Sequence, residues 1–331
     1  MKKLLIVLSS LIIVLLVFLI GTLNFGFRHF YLQKAGTVVF AFQDQSHVVT
    51  FPTNTSPQKT PIVSTPETTP NREDNSVTST RYFRGQEQQH ELKPNSNLSL
   101  EQWKDWPVIP NHISPDLKRI YHQGIKDGNN PKAFSILGDC HSLPEVFLGI
   151  YDINPAFVNT QNPSIQKTVL HFRGSFNRYS PTVKIGSTEG ALLWPLWNDN
   201  LEGKCNPNES PLDCELRVHR PSIIFIHVGT HYESRNERYL TIIIEKLLEN
   251  GIIPIIVTKA DNRELDERIN QTLVKMAIMY DLPVWNFWAS VQHLDSKGID
   301  EEDDLALSEE GYKIHQQDGI KVLNQVWNQL N

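Results

Sequence analysis

The sequence predicts an α/β fold for residues 100–331, a three-layer α/β/α sandwich around a mainly parallel sheet. Short runs rich in Ile and Val are apolar at consecutive positions, and they alternate with longer segments of helical periodicity. A strand that is apolar on both faces belongs inside a sheet covered by helices on both sides. The regular alternation of strands with helices is typical of parallel sheets. Ligands of such sheets bind at the carboxyl ends of the strands.

Four strands and three of the covering helices can be placed along the chain. The predicted strands are 133–137, 223–228, 252–258 and 284–288. The predicted helices are 236–250, 263–280 and 308–330. The loops in which functional side chains are expected therefore begin at Gly138, Gly229, Thr258 and Trp288.

An apolar run occupies residues 4–23, directly after Lys2 and Lys3, and no charged residue interrupts it. As a helix it spans about 30 Å, the thickness of the bilayer's hydrocarbon core. It ends in Gly21–Phe25, which makes a poor cleavage site. We predict an uncleaved signal-anchor helix over 1–23, with the C-terminal domain outside the cell membrane. A cleaved signal peptide is the alternative.

The chain between the apolar run and the predicted domain changes composition sharply. Residues 24–51 form a juxtamembrane segment, and 52–99 are predicted to be a disordered linker. Its first part, 52–80, contains 8 Thr, 5 Pro and 4 Ser. Such a composition buries too little apolar surface to fold, so we expect an extended stalk.

The cysteines and the overall charge narrow the function classes. Cys205 and Cys214 close a short Pro- and Asn-containing loop, which predicts a disulfide and an oxidising compartment. A zinc site is disfavoured, because a second pair of ligands is missing. Cys140 remains unpaired. The net charge of −6 and the absence of a basic cluster argue against a nucleic-acid partner, and no motif predicts a cofactor or a metal.

Four segments follow one another in the order and spacing of the sequence blocks of the SGNH/GDSL hydrolases, and the chain resembles that family in them. They are Phe134–Cys140, Ile185–Leu193, His227–His231 and Glu302–Tyr312. The resemblance implies an SGNH hydrolase, flavodoxin-like fold and ester hydrolysis or acyl transfer. Since the chain also carries a predicted anchor, it further implies an ester or carbohydrate ligand of the cell envelope.

The resemblance assigns roles to five positions. Cys140 stands where the family has its nucleophilic Ser, and Gly186 supplies the oxyanion-hole N–H. His231 stands at the oxyanion-hole Asn, Asp303 at the catalytic Asp, and Ala306 at the catalytic His. A triad needs a base for the nucleophile and an acid for the leaving group, so the loss at Ala306 is the serious departure.

Other histidines are candidates for the missing base. His231 is the first choice, either as base or as oxyanion donor, and the catalytic set is then Cys140, Asp303 and His231. His141 and His315 are further candidates. The competing interpretation treats Cys140 as a small, inert residue. Two functions therefore stay open: an ester hydrolase with degenerate catalytic residues, and an inactive binding or scaffold protein with the same fold.

Two other groups of residues are candidates with ordinary alternatives. Arg173 and Arg178 could bind an anionic substrate, although such arginines are more often surface residues or ion-paired. Lys259 and Asp261 follow a predicted strand and could line the cleft, although Asp261 is about as well suited to capping the next helix. Tryptophans near the blocks, Trp194 among them, are interpreted as core or rim packing.

Overall fold

The computed structural model describes residues 81–85, 88–92, 99–200, 203–231 and 236–331. Its first elements are the strands β1 (Arg81–Gly85) and β2 (Gln88–Leu92), which pair as an antiparallel hairpin. This hairpin lies within the Ser/Thr/Pro-rich linker predicted for 52–99, after its Thr-rich first part. The aromatic pair Tyr82 and Phe83 has high β propensity, which the polar composition of the surrounding chain conceals.

Four parallel strands form the central sheet, in the same order as in the chain. They are β3 (Asn130–Gly138), β4 (Pro221–His227), β5 (Ile253–Val257) and β6 (Val284–Trp285). Every residue of β4 and β5 is buried. Because successive side chains of a strand point to opposite faces, both faces of the sheet must be covered. The predicted α/β fold with a parallel sheet is confirmed.

Helices occupy most of the chain between and around these strands. They are α1 (Pro115–Lys126), α2 (Ile150–Ile153), α3 (Pro155–Asn159), α4 (Pro163–His171), α5 (Glu189–Leu192), α6 (Pro211–Val218), α7 (Asn236–Glu249), α8 (Arg268–Tyr280), α9 (Phe287–Val291) and α10 (Glu309–Leu330). Helices α7 and α8 pack against each other and against β5, whereas α10 packs against α1 and α4. Short 3-10 turns lie at Leu100–Asp105, Cys140–Ser142 and Pro195–Trp197.

The last strand is shorter than its sequence predicts. The apolar run 284–288 gives a strand of only two residues, because the Asn286 side chain accepts a hydrogen bond from Ala289 N and caps α9. The Asn286 amide also donates to the carbonyl oxygens of Trp103 and Trp106, at 2.9 and 3.2 Å. The buried Asn286 side chain therefore ends β6 and attaches the 3-10 turn Leu100–Asp105 to this strand end.

Helix α8 begins five residues later than the predicted start at residue 263. Asn262 Oδ1 accepts from Glu267 N at 2.9 Å, and Glu264 Oε1 accepts from Ile269 N at 3.3 Å. Glu267 itself has a left-handed φ of 58°. These side-chain bonds to the backbone stabilise a loop in place of the first helical turns.

The predicted anchor helix 1–23 and the juxtamembrane segment 24–51 lie outside the described residues. Within the ranges that are described, no helix combines the length and the apolar composition needed to cross a bilayer.

Candidate active site

The turn that follows β3 carries Cys140 and is fixed from two sides. Asp139 Oδ1 accepts from His141 N at 3.1 Å and so caps the turn. Ser142 Oγ lies 2.9 Å from Nδ1 of His227, the last residue of the neighbouring strand β4. Gly138 makes this close packing feasible, since a Cβ there would lie 2.1 Å from Ser142 Oγ. The turn therefore presents a half-buried Cys140 at the carboxyl edge of the sheet.

The segment that leads to Gly186 pairs with the end of β3. Gly138 N donates to Thr182 O at 3.0 Å, and Lys184 N donates to Gly138 O at 3.3 Å. Gly186 follows two residues later with a φ of +81°, a conformation that favours glycine. A Cβ at this position would meet no atom within 4 Å, so the residue borders open space. Gly186 thus lies next to the strand end from which the Cys140 turn begins.

The surroundings of Cys140 keep its thiol protonated. Burial raises the pKa of Cys140 to about 12, and the carboxylate of Asp139 and, more weakly, that of Asp303 contribute in the same direction. Activated thiols lie instead beside positive charges or helix N-termini that lower the pKa. Tyr312 shares this environment: burial raises its pKa to about 12, and Cys140, Asp139 and Asp303 add to the effect. Cys140 and Asp303 are therefore electrostatically coupled, but both carboxylates oppose ionisation of the thiol.

Asp303 is engaged by its own loop. Its exposed carboxylate accepts from Leu305 N at 3.0 Å, and its carbonyl accepts from Ala306 N at 2.9 Å. These bonds form a tight turn around position 306, which has no imidazole for the carboxylate to orient. The Asp303 carboxylate is thus held by its own loop backbone, and the predicted catalytic position 306 offers it no general base to orient.

One histidine, His141, belongs to the Cys140 turn, and two more, His227 and His315, pack close to it; each of the three is hydrogen-bonded or enclosed. His141 Nε2 lies 2.7 Å from Leu305 O. The rings of His227 and His315 lie 4.7 Å apart between centroids, and His315 also packs at 4.2 Å against Phe147. Burial lowers the pKa of His227 to about 4 and lowers that of His315 well below its ordinary value. Both rings are therefore neutral in the folded protein at neutral pH, and neither ring nitrogen of His315 has a hydrogen-bond partner within the described ranges.

His231, predicted as base or oxyanion donor, follows β4 at the same edge of the sheet. It is half-buried, and its Nε2 atom is buried with no hydrogen-bond partner among the described residues. Across the described residues, the histidine bonds go to carbonyl and hydroxyl oxygens and none goes to Cys140. The roles assigned to Cys140, Gly186, His231 and Asp303 remain predictions, with the carboxyl edge of the sheet as their shared location.

A buried network that sequence reasoning missed supports the Gly186 segment. Glu215 is fully buried and accepts from Arg178, Ser135 and Ser180, the last at 2.8 Å. Burial alone would raise the pKa of Glu215, but the Arg178 guanidinium outweighs it and holds the pKa below its ordinary value. Ser180 Oγ in turn lies 2.6 Å from Thr182 Oγ1. Arg178 is thus a structural, ion-paired residue. Because Glu215 lies 37 positions further along the chain, no sequence pattern indicated this pairing.

The predicted disulfide is confirmed and lies next to this network. Cys205 and Cys214 are bonded with their Cα atoms 5.2 Å apart, and Glu215 follows Cys214 directly. These two sulfurs and Glu209 are the one group in the described ranges with metal-ligand spacing, but a disulfide leaves no thiolate to bind a metal.

Lys259 and Asp261 do not line the cleft as free ligand groups. Lys259 Nζ lies 2.6 Å from Asp261 Oδ1 and 2.5 Å from Glu264 Oε2, and all three side chains are buried. Asp261 also accepts from Arg263 N at 3.2 Å. The cluster stabilises the loop before α8.

Two solved structures are similar to this chain. One is described as a "putative acylhydrolase" from Bacteroides fragilis, with a TM-score of 0.38 and 16% identity over 64% of this chain and 97% of that one. The other is a GDSL-like lipase from Bacteroides thetaiotaomicron, with a TM-score of 0.37 and 14% identity over 63% of this chain and 98% of that one. No protein-family model and no curated protein matches the sequence. Function therefore has to be argued from the site itself.

Proposed function

We propose that residues 100–331 are an SGNH/GDSL-type domain that binds an acyl- or acetyl-bearing ligand of the cell envelope and turns it over slowly or not at all. The sequence resemblance and the parallel α/β fold support a hydrolase-type domain. The observation that carries the proposal is the state of Cys140: a partly buried, protonated thiol whose ionisation Asp139 and Asp303 both oppose, with Ala306 where a base is needed. The predicted anchor holds this domain outside the membrane.

The chemistry of ester cleavage explains why turnover is slow. Attack requires the thiolate, and a pKa of about 12 leaves only a trace of it at neutral pH. The leaving alkoxide then needs a proton donor, which position 306 does not supply. General acid–base help contributes about 10²–10⁴ in rate, so its loss alone is a large deficit.

The chemistry of the ligand is suggested by an apolar rim beside Gly186. The rim consists of Ile185, Trp194 and Leu196, which are 61%, 55% and 81% exposed. Trp197 Nε1 donates to Ser187 Oγ at 3.2 Å and attaches the rim to the Gly186 loop. Exposed apolar residues next to a cleft are typical of ligand-binding surfaces. An acyl chain that enters from this side brings its ester carbonyl towards the Gly186 N–H.

The ring nitrogen of His231 that is unpartnered among the described residues supports a second candidate function, that of a slow cysteine hydrolase. Its buried Nε2 has no hydrogen-bond partner among the described residues, so it is available to a proton donor at this edge. A rotation of either side chain that brings Nε2 to the Cys140 thiol creates a nucleophile–base pair. In this case Cys140→Ala and His231→Ala each abolish turnover.

The two functions are separated by a paired measurement on the full-length chain in neutral detergent. Turnover is followed with p-nitrophenyl butyrate, and binding is followed by calorimetry with its amide analogue, p-nitrobutyranilide. We expect binding without rapid turnover, unchanged binding in Cys140→Ala, and weaker binding in Trp194→Ala. Exposed Tyr179→Ala serves as an aromatic control. Turnover that Cys140→Ala abolishes establishes the hydrolase instead, and absence of binding refutes the proposal.

A further inference from the structure

A ligand-sized cavity lies outside the carboxyl-edge site. It has a volume of about 430 Å³ and is formed by the chain from Tyr151 to Arg173, with Lys167, Leu170 and Arg173 on its walls. Ligand sites of proteins are commonly about 300–1,000 Å³. His171, at the end of α4, bonds to Pro131 O at 2.8 Å. Because Pro131 is at the start of β3, this helix end lies towards the opposite end of that strand from Cys140.

The basic side chains at this cavity are not neutralised by acidic ones. Arg178 is paired with Glu215, but Lys167 and Arg173 have no carboxylate partner within the described ranges. Lys132 likewise has no carboxylate partner in the part of the chain that the structure describes, and it is close enough to His171 to act on it electrostatically. Burial lowers the pKa of His171, and the charges of Lys132 and Lys167 lower it further. The region around the cavity is therefore electropositive, in a chain of net charge −6.

The one acidic residue of the cavity wall is already satisfied by the backbone. Asp152 accepts from Gly174 N, Phe176 N and Asn177 N at 2.9–3.2 Å. These bonds hold the loop that places Arg173 at the cavity. Lys167 and Arg173 on the wall, with Lys132 near His171 beyond it, outweigh this one carboxylate, and the positive excess suits a phosphate dianion.

We infer that this cavity binds a phosphate monoester, with Arg173 and Lys167 on the phosphate and Leu170 beside the remainder of the ligand. A guanidinium matches two phosphate oxygens at once, and lysine adds a compact charge. Leu170 is 66% exposed and offers an apolar contact. The same head group occurs in a soluble phosphorylated alcohol and in a phospholipid, so the source of the phosphate is left to the test.

The test uses the full-length chain in neutral-detergent micelles, with two probes of the same chemistry. Binding of glycerol 3-phosphate is measured by calorimetry, and binding of phosphatidic acid is measured in mixed micelles. We expect Arg173→Gln and Lys167→Gln each to weaken binding by about 10-fold or more, and Arg173→Lys to weaken it less. Lys275→Gln is the matched control, because Lys275 is exposed and paired with Glu237 at 2.9 Å elsewhere.

The outcomes distinguish the two sources and the inference itself. Tight binding of glycerol 3-phosphate assigns a soluble ligand, and binding of phosphatidic acid alone assigns a lipid. Binding that neither Arg173→Gln nor Lys167→Gln weakens, or no binding of either probe, overturns the inference. Cys140→Ala should leave both affinities unchanged. A failure of the phosphate-binding inference is therefore distinguishable from a failure of the function proposed for the carboxyl edge.

Discussion

The Nε2 atom of His141 lies 2.7 Å from the carbonyl oxygen of Leu305. This bond joins the turn that carries Cys140 to the loop that carries Asp303. A carbonyl oxygen only accepts, so Nε2 must carry the proton and donate it. The same nitrogen therefore cannot take the thiol proton from Cys140. His141 links the Cys140 turn to the Asp303 loop, and its Nε2 atom cannot serve as a base for Cys140 while this bond is made.

Removal of this link should destabilise the domain. We expect His141→Phe to lower the free energy of unfolding by about 1–3 kcal/mol, because the partly buried Leu305 carbonyl loses its donor. Urea unfolding followed by circular dichroism measures the effect. The control is His112→Phe at an exposed position, where the change should stay within about 0.5 kcal/mol. Equal stability of the two variants would contradict the role given to His141.

Acid should destabilise the protein through His227. Its pKa is about 4 when folded, against 6.5 as the ordinary value, so the unfolded chain binds the proton first. Stability is therefore complete above about pH 6.5 and is lost progressively as the pH falls towards 4. The loss reaches about 3 kcal/mol from this residue. Urea midpoints at several pH values test it, and His227→Gln should flatten the profile; an unchanged slope in this variant contradicts the assignment.

The thiol of Cys140 should react slowly with alkylating agents. At pH 8, a pKa near 12 leaves far less thiolate than an ordinary cysteine has, so iodoacetamide labelling should be about 100-fold slower or more. Cys205 and Cys214 are bonded to each other, which leaves Cys140 as the free cysteine among the 3 in the chain. Mass spectrometry of the native and urea-unfolded protein gives the ratio. Asp303→Asn should speed labelling a few-fold, and labelling as fast as in the unfolded chain contradicts the protonated state.

Restoring the family's residues should create an enzyme. We expect the double variant Cys140→Ser with Ala306→His to hydrolyse p-nitrophenyl butyrate weakly, because Asp303 and Gly186 remain in place. The matched control combines Ala306→His with Cys140→Ala, which has the base without a nucleophile. Activity in both variants, or in neither, shows that the four segments do not converge as the resemblance implies.

The sheet was predictable, because consecutive Ile and Val residues in 223–228 and 252–258 are compatible only with strands buried on both faces. The Cys205–Cys214 bond was predictable from a short loop. The early end of β6 was not predictable. It depends on one polar side chain, Asn286, which caps α9 and bonds to the turn Leu100–Asp105. A pattern of apolar residues contains no information about such a bond.

Only those parts of the site that lie within single short segments of the sequence were predictable. Cys140 and Gly186 each lie in one short sequence block, and the β-bridge between Gly138 and Val183 brings the two blocks together. The contact of His141 with Leu305 joins residues far apart in the chain, and the high pKa of Cys140 depends on burial that only the folded chain shows. Whether a catalytic residue type is active is thus decided by its surroundings more than by its identity.

Glu215 should tolerate fewer substitutions than most positions of the domain. One carboxylate serves Ser135 on β3 and both Arg178 and Ser180 in a single loop, and so two segments far from Glu215 in sequence depend on a single codon. A saturation library should therefore show position 215 depleted of nearly every substitution, Gln and Asp included, because each leaves a buried guanidinium or hydroxyl without its acceptor. Leu216, the next residue along the same helix, should accept other apolar residues. Selection on this domain would then fall on a position that touches no ligand.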